Sequence, residues 1–291
     1  MSGPPKSPAT APSGANPAPA ARRYAILCGN GRFPVLALEE ARKLGDDPVA
    51  ICIRDEASPD IERLAPNCHW VTIAELGKLI DICHKENCAD LMMAGQVKHV
   101  SIFSSLTPDW RLARVLFKAA TKNTDSLIGG VIDELARENI RVVDSTSLLK
   151  SQLAAVGPLT GRKLTSEEEA DVRYGRRIAA ALSGFDVGQS AAICDKACVA
   201  LEAMEGTDAM LRRAASLTGG RRLTLVKGSR RRKHLLFDVA VLGLASIAVL
   251  QETNTTAVAV DAGRTLFLDK NDMLARARDA RIAIVGYPPE E

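Results

Sequence analysis

The stretch 202–208 reads EAMEGTD and places three carboxylates, Glu202, Glu205 and Asp208, where an apolar run gives way to a helical pattern. Cleavage of a phosphate anhydride needs hard oxygen ligands for a Mg2+-like ion and a group that orients the attacking water. Acids at a strand-to-helix turn are well placed for either task. Glu205 and Asp208 are therefore candidate catalytic residues, with Glu205 also a candidate metal ligand. Gly206 permits a sharp turn and Thr207 can cap the helix that follows; a solvated strand end with helix caps is the plainer alternative. In extended geometry Glu202 shares a face with Met204, and Glu205 lies on the other. A second acid, Asp238, interrupts the apolar run after LLF and follows a basic segment, 221–233, with seven positive charges in thirteen positions. A charge entering a core needs a partner, so Asp238 reads as a metal ligand or water-orienting base. The basic segment, Lys227 included, suits a diphosphate or an anionic membrane surface. It contains no aromatic residue to stack on bases, which argues against a nucleic-acid site.

Other candidates sit at strand ends in the first half. Gly29-Asn30-Gly31 follows the first apolar run, where glycines let backbone N–H groups approach a phosphate or ribose. Pro34 stands where a dinucleotide fingerprint would have its third glycine, so a hydride-transfer site is not supported, and Asp55 reads as a turn residue as readily as a ribose ligand. After the fourth run come Gln96, Lys98 and His99, suited respectively to a base or sugar, a diphosphate and a proton. Thr124 and Asp125 open a helical pattern, where they would cap its free N–H groups or touch a ligand.

These residues need a scaffold of alternating strands and helices. The runs YAILCG, PVAICIR, HWVTI, ADLMMAG and IRVVDS are strand-like and are separated by helical patterns, the signature of a parallel sheet covered by helices. The second half mixes its order. A capping-box pattern at Thr165 and Glu168 opens a helix. QSAAICD and ACVALEA then suggest a hairpin, and TAVAVD and RTLFLD suggest another across Ala262-Gly263. The expected architecture is α/β: an N-terminal Rossmann-like parallel-sheet domain and a C-terminal α+β catalytic domain. The boundaries are a disordered tail at 1–21, the Rossmann-like domain at 22–150, a linker at 151–163, the catalytic domain at 164–287 and a short tail at 288–291.

The 291 residues are 46% hydrophobic with a net charge of +3, which fits a globular chain and not a dedicated nucleic-acid binder. Seven dispersed cysteines without paired zinc spacing read as reduced thiols of a cytoplasmic protein. The N-terminal stretch lacks the apolar core of a signal peptide, and the longest apolar run, 239–250, is too short for a bilayer.

Together GNGRFP, AGQVKH, NTDSLIGGV, DVGQ, EAMEGTD, LFD with Gly243, and VDAGRTLFLD resemble, in order, the motifs of the LpxI-type UDP-2,3-diacylglucosamine pyrophosphatases. The resemblance spans roughly Tyr24 to Gly286. It implies attack of water on the α-phosphorus of UDP-2,3-diacylglucosamine, releasing UMP and 2,3-diacylglucosamine 1-phosphate (lipid X), with Mg2+ or Mn2+ as cofactor. It also implies a homodimer acting peripherally on the inner face of the inner membrane, and catalysis by Asp238. Gly29, Asn30, Gln96, Asp125, Gln189, Glu205, Thr207 and Asp208 fall in its site motifs. Residues 230–236, RRRKHLL, depart from the family's usual Lys-Pro-x-Gln-Asp/Glu-x-Arg. A lost arginine removes a bidentate phosphate contact that lysine does not reproduce. The alternative reading is thus a homologue with weakened or no turnover that binds the nucleotide-lipid or lipid X.

Overall fold

The computed structural model describes residues 21–97, 107–118, 124–185, 187–229, 236–237 and 239–290. Almost all of the predicted N-terminal tail lies outside this range.

Five strands form the first sheet: β1 (Arg23–Cys28), β2 (Asp47–Ile53), β3 (Cys68–Val71), β4 (Asp90–Ala94) and β5 (Arg141–Val143), in the order β3-β2-β1-β4-β5. Every pairing is parallel, and the central strands are near-continuous apolar runs because helices cover both faces. The helices are α1 (Phe33–Lys43), α2 (Ile61–Leu64), α3 (Leu76–Lys85), α4 (Trp110–Lys118) and α5 (Thr124–Arg137). Pro34 occupies the first turn of α1, where its missing N–H costs nothing. Ile26, Leu38 and Ile61 fill one side of the sheet, and Ile51, Ile80 and Leu135 the other.

The second half is built on a six-stranded mixed sheet in the order β6-β13-β11-β9-β7-β8. Its strands are β6 (Gly157–Pro158), β7 (Ser190–Cys194), β8 (Ala197–Leu201), β9 (Leu223–Lys227), β11 (Thr255–Asp261) and β13 (Ala283–Tyr287). β9, β11 and β13 run parallel, while β7 and β8 form the predicted antiparallel hairpin. Helix α6 (Ser166–Gly184) begins with the expected capping box: Glu168 N donates to Thr165 Oγ1 at 3.2 Å and Thr165 N to Glu168 Oε2 at 2.9 Å. Glu168 is also gripped by the two terminal Arg162 nitrogens, at 2.8 and 2.9 Å, and by Thr256 Oγ1 at 2.6 Å, so the cap ties α6 to β11. Burial alone would raise the Glu168 carboxyl, but these donors hold it below the usual range. Helices α7 (Thr207–Leu217), α8 (Leu244–Glu252) and α9 (Lys270–Asp279) pack on the opposite face.

The second predicted hairpin does not form. Gly263 does turn the chain, at φ +70°, but β12 (Thr265–Phe267) leaves β11 and pairs in parallel with β10 (Ala240–Leu242). Leu266 is fully buried and joins the core beneath β1 and α1 instead, together with Val241 and Leu268. Burial against the first half therefore decides the partner of β12, not the short turn. The stretch read as a linker is laced into the same region: Ala154 N bonds Thr265 O at 2.9 Å, and Gly157 and Pro158 pair with β13.

Candidate functional site

The strand order of the first sheet reverses between β1 and β4, and in open parallel sheets a ligand crevice lies beyond the carboxyl ends at that point. Gly29-Asn30-Gly31 follows β1 there and Gly95-Gln96 follows β4. The two loops are clasped. Gly29 N donates to Ala94 O at 2.8 Å, Asn30 N to Gln96 O at 2.7 Å and Gln96 N to Asn30 O at 3.1 Å. A side chain at Gly29 would put its Cβ 2.5 Å from Gln96 O, and one at Gly95, whose φ is +92°, 2.6 Å from Asn30 O. The glycines are thus explained first by loop contact. Gln96 remains exposed and Asn30 half-buried, with Gly31 exposed beside them, so all three can meet a ligand. Arg32 then forks onto Asp269 in the second half, its Nε at 3.1 Å from Oδ2. Asp55 is a turn residue at φ 66°.

A second polar group gathers at one edge of the six-stranded sheet. Register brings Ser190, the first residue of β7, opposite Lys227, the last of β9. Side chains alternate along a strand, so Lys227 continues the row of Leu223 and Leu225 toward α7. There Lys227, a residue only 8% exposed, donates from its ammonium to Thr207 Oγ1 at 2.9 Å and Ser190 Oγ at 3.3 Å. Thr207 Oγ1 donates its own hydrogen bond to Glu202 Oε1 at 2.8 Å, and Gln189 N donates to Glu202 Oε2 at 3.3 Å. Burial on its own would raise the Glu202 carboxyl. The Lys227 charge, the Ser190 and Thr207 hydroxyls and the Gln189 N–H outweigh it and keep the group below the usual carboxylate range. A buried ammonium and a carboxylate are thus bridged by one hydroxyl, with no direct pair among the described residues. Gly206, at φ +82°, is the N-cap of α7 and brings no side-chain cap. Among the described residues nothing accepts from the first-turn N–H groups of that helix, which suit solvent or an anion.

Of the three acids in 202–208, it is Glu202 that enters this cradle. Glu205 turns out to the surface and pairs with Arg213 of α7; Asp208 is exposed in the first turn of the same helix. Ser190 was not among the expected site residues, and Glu202 was named in the acidic turn without a role of its own. The signal for Glu202 was its place two residues after buried Ala200, where it continues the inward alternation one residue past the end of β8. Ser190 shows only once the register is known. Just beyond Lys227, Asp261 Oδ2 accepts from Ser229 N and Ser229 Oγ, both at 2.8 Å, anchoring the chain within the basic segment. Asp238, Lys98, His99 and 230–235 lie outside the described residues, as do the side chains of Thr124 and Asp125; α5 begins at Thr124. Among the described residues no three or more His, Cys, Asp or Glu side chains stand together as metal ligands, and Glu205 is engaged by Arg213, so these residues alone do not make a metal site. All seven cysteines are free.

A glycine-clasped switch point in one half and a lysine–hydroxyl–carboxylate cradle in the other define a two-part α/β protein with polar sites at its strand ends. The N-terminal domain of LpxI matches residues 23–152 and the C-terminal domain of LpxI residues 155–285. The chain belongs to the LpxI family. It is 30% identical over 280 residues to the UDP-2,3-diacylglucosamine pyrophosphatase LpxI of Caulobacter vibrioides, covering 93% of this chain and 99% of that protein. Among solved structures, the Bordetella bronchiseptica enzyme WbmH in complex with NAD+ aligns with 41% of this chain and 37% of its own, at 13% identity and a TM-score of 0.26. That likeness is too slight to bear on fold or function.

Proposed function

We propose that the chain hydrolyses UDP-2,3-diacylglucosamine to lipid X and UMP in lipid A biosynthesis. One observation carries the reading: a buried ammonium with a spare N–H stands beside an uncapped helix start, in a chain whose relative is named for that activity. A Lys ammonium has three donors, and Thr207 and Ser190 take two. The third, with the N–H groups at the start of α7, would meet diphosphate oxygens. Asn30 and Gln96 at the switch point would hold the nucleotide. In the reaction the oxygen of water bonds to the α-phosphorus, the bond from that phosphorus to the bridging oxygen breaks, and the bridging oxygen departs with lipid X. Asp238 is the proposed acceptor of the water proton. The reading includes Mg2+ or Mn2+ held by Asp238 and Glu205, for which Glu205 would leave Arg213. It also includes a homodimer working at the cytoplasmic face of the inner membrane; no helix among the described residues is long and apolar enough to cross one.

The test is release of UMP by the purified full-length chain from UDP-2,3-diacylglucosamine in detergent micelles. Activity that is abolished by EDTA, restored by Mg2+ or Mn2+ and lost in Asp238→Ala supports the reading. No UMP at high protein concentration overturns it. Thermal stabilisation by lipid X without turnover would instead favour the binding-only alternative that residues 230–236 suggest.

A further inference from the structure

We infer that Glu202 is a positioning residue of this site: through Thr207 it fixes the direction in which Lys227 presents its remaining N–H to the substrate phosphate. The inference rests on the pyrophosphatase reading above. Glu202 is an anion and would repel a diphosphate, so its part is not direct contact: its oxygens accept from within the protein, Oε1 from the Thr207 hydroxyl and Oε2 from Gln189 N–H. Its effect lies in proton direction. A threonine hydroxyl has one proton. Once that proton is committed to Glu202, Thr207 Oγ1 can only accept from Lys227, at 2.9 Å. The ammonium is then pinned between Thr207 and Ser190, and its third N–H has a single direction left. Thr207 is also the first residue of α7, so the same carboxylate sets where the helix start stands relative to the lysine. Glu202 is in turn fixed by its backbone, since Glu202 N donates to Ser190 O at 2.9 Å. The order of dependence runs from Glu202 to Thr207 to Lys227. Orienting donors before the reaction, so that nothing reorganises as charge develops, is where such groups act.

The experiment measures kcat and KM for UMP release by full-length wild type, Glu202→Gln, Thr207→Val, Thr207→Ser and the Glu202→Gln/Thr207→Val double variant, each normalised to folded protein by circular dichroism. Glutamine keeps the size of Glu202 but can turn its amide N–H toward Thr207 and lacks the charge. We expect kcat to fall at least tenfold in Glu202→Gln and in Thr207→Val with KM within about threefold of wild type. Thr207→Ser should retain at least a third of wild-type kcat, and the double variant should lose no more than the worse single variant. Losses that multiply in the double variant would make the Glu202 effect independent of Thr207 and overturn the inference, as would wild-type kcat in Glu202→Gln. Should Glu202→Gln fail to fold, the valine and serine variants decide alone: wild-type kcat in Thr207→Val overturns it. A wild type that releases no UMP fails the pyrophosphatase reading itself, a result distinct from all of these.

Discussion

Lys227→Met isolates the energetic cost of the cradle. Methionine matches the stem of the lysine and removes only the charged head, so the apolar stem is kept while two hydrogen bonds and one charge are lost. Breaking a buried pair by removing one partner costs about 3–5 kcal/mol, because the other charge is left behind. Here the remaining carboxylate keeps the Thr207 hydroxyl and the Gln189 N–H and is itself partly exposed. The expected loss is therefore smaller, about 2–3 kcal/mol, or ~3–5 °C in melting temperature for a chain of this size. The sign of the pH dependence identifies the source. In wild type the Glu202 carboxyl is held below its usual value, so its contribution is fully present above the unfolded value of about 4.3 and is lost as pH falls below it. Without Lys227 the main charge holding it down is gone, and protonation relieves the stranded carboxylate. The deficit of Lys227→Met against wild type should be largest near pH 7.5 and should shrink toward pH 4.5. Urea melts followed by circular dichroism at both pH values measure it. A deficit equal at the two pH values, or none at pH 7.5, would refute the coupling of Lys227 to Glu202.

Three further outcomes are expected. Gly29→Ala should cost about 1–3 kcal/mol in chemical denaturation, because its Cβ would stand 2.5 Å from the Gln96 carbonyl and must part the two loops. The same variant should bind UMP more weakly in titration calorimetry. Leu266→Ala should cost about 2–5 kcal/mol, and since Leu266 belongs to the core under α1, fluorescence of Trp70 should report the loss although the mutation lies in the second half. Arg32→Ala, by contrast, should change stability by less than about 1 kcal/mol in the same melts, since the Arg32–Asp269 pair is half-exposed.

Much of the scaffold was legible because its signals are local. Buried parallel strands are apolar runs wherever they occur, and YAILC, AICI and LMMA need no partner to be recognised. The Thr165–Glu168 box and the β7–β8 hairpin are equally local: one is a four-residue pattern, the other two runs joined by Asp195-Lys196, both at positive φ. The pairing of β12 with β10 was not legible. A run such as TLF carries no mark of which strand it will join, and the choice was made by the apolar surface of a core formed some two hundred residues earlier in the chain.

The site divides along the same line. Gly29, Gln96, Thr207 and Lys227 lie at strand ends or helix starts, which sequence patterns locate. Which acid serves Lys227 is a matter of side-chain direction, and there the acidic turn misleads: Glu205, the more prominent in sequence, faces Arg213 at the surface, while Glu202 faces inward. Period-two alternation from buried Ala200 gives the direction of Glu202 correctly, but its importance depends on β7, β8 and β9 lying side by side, so that Ser190, Glu202 and Lys227, thirty-seven residues apart at the extremes, converge on one hydroxyl. The hydroxyl belongs to the first residue of a helix. A charge network and a helix start are thus fixed by a single side chain, and Thr207→Val is the smallest change that separates the two.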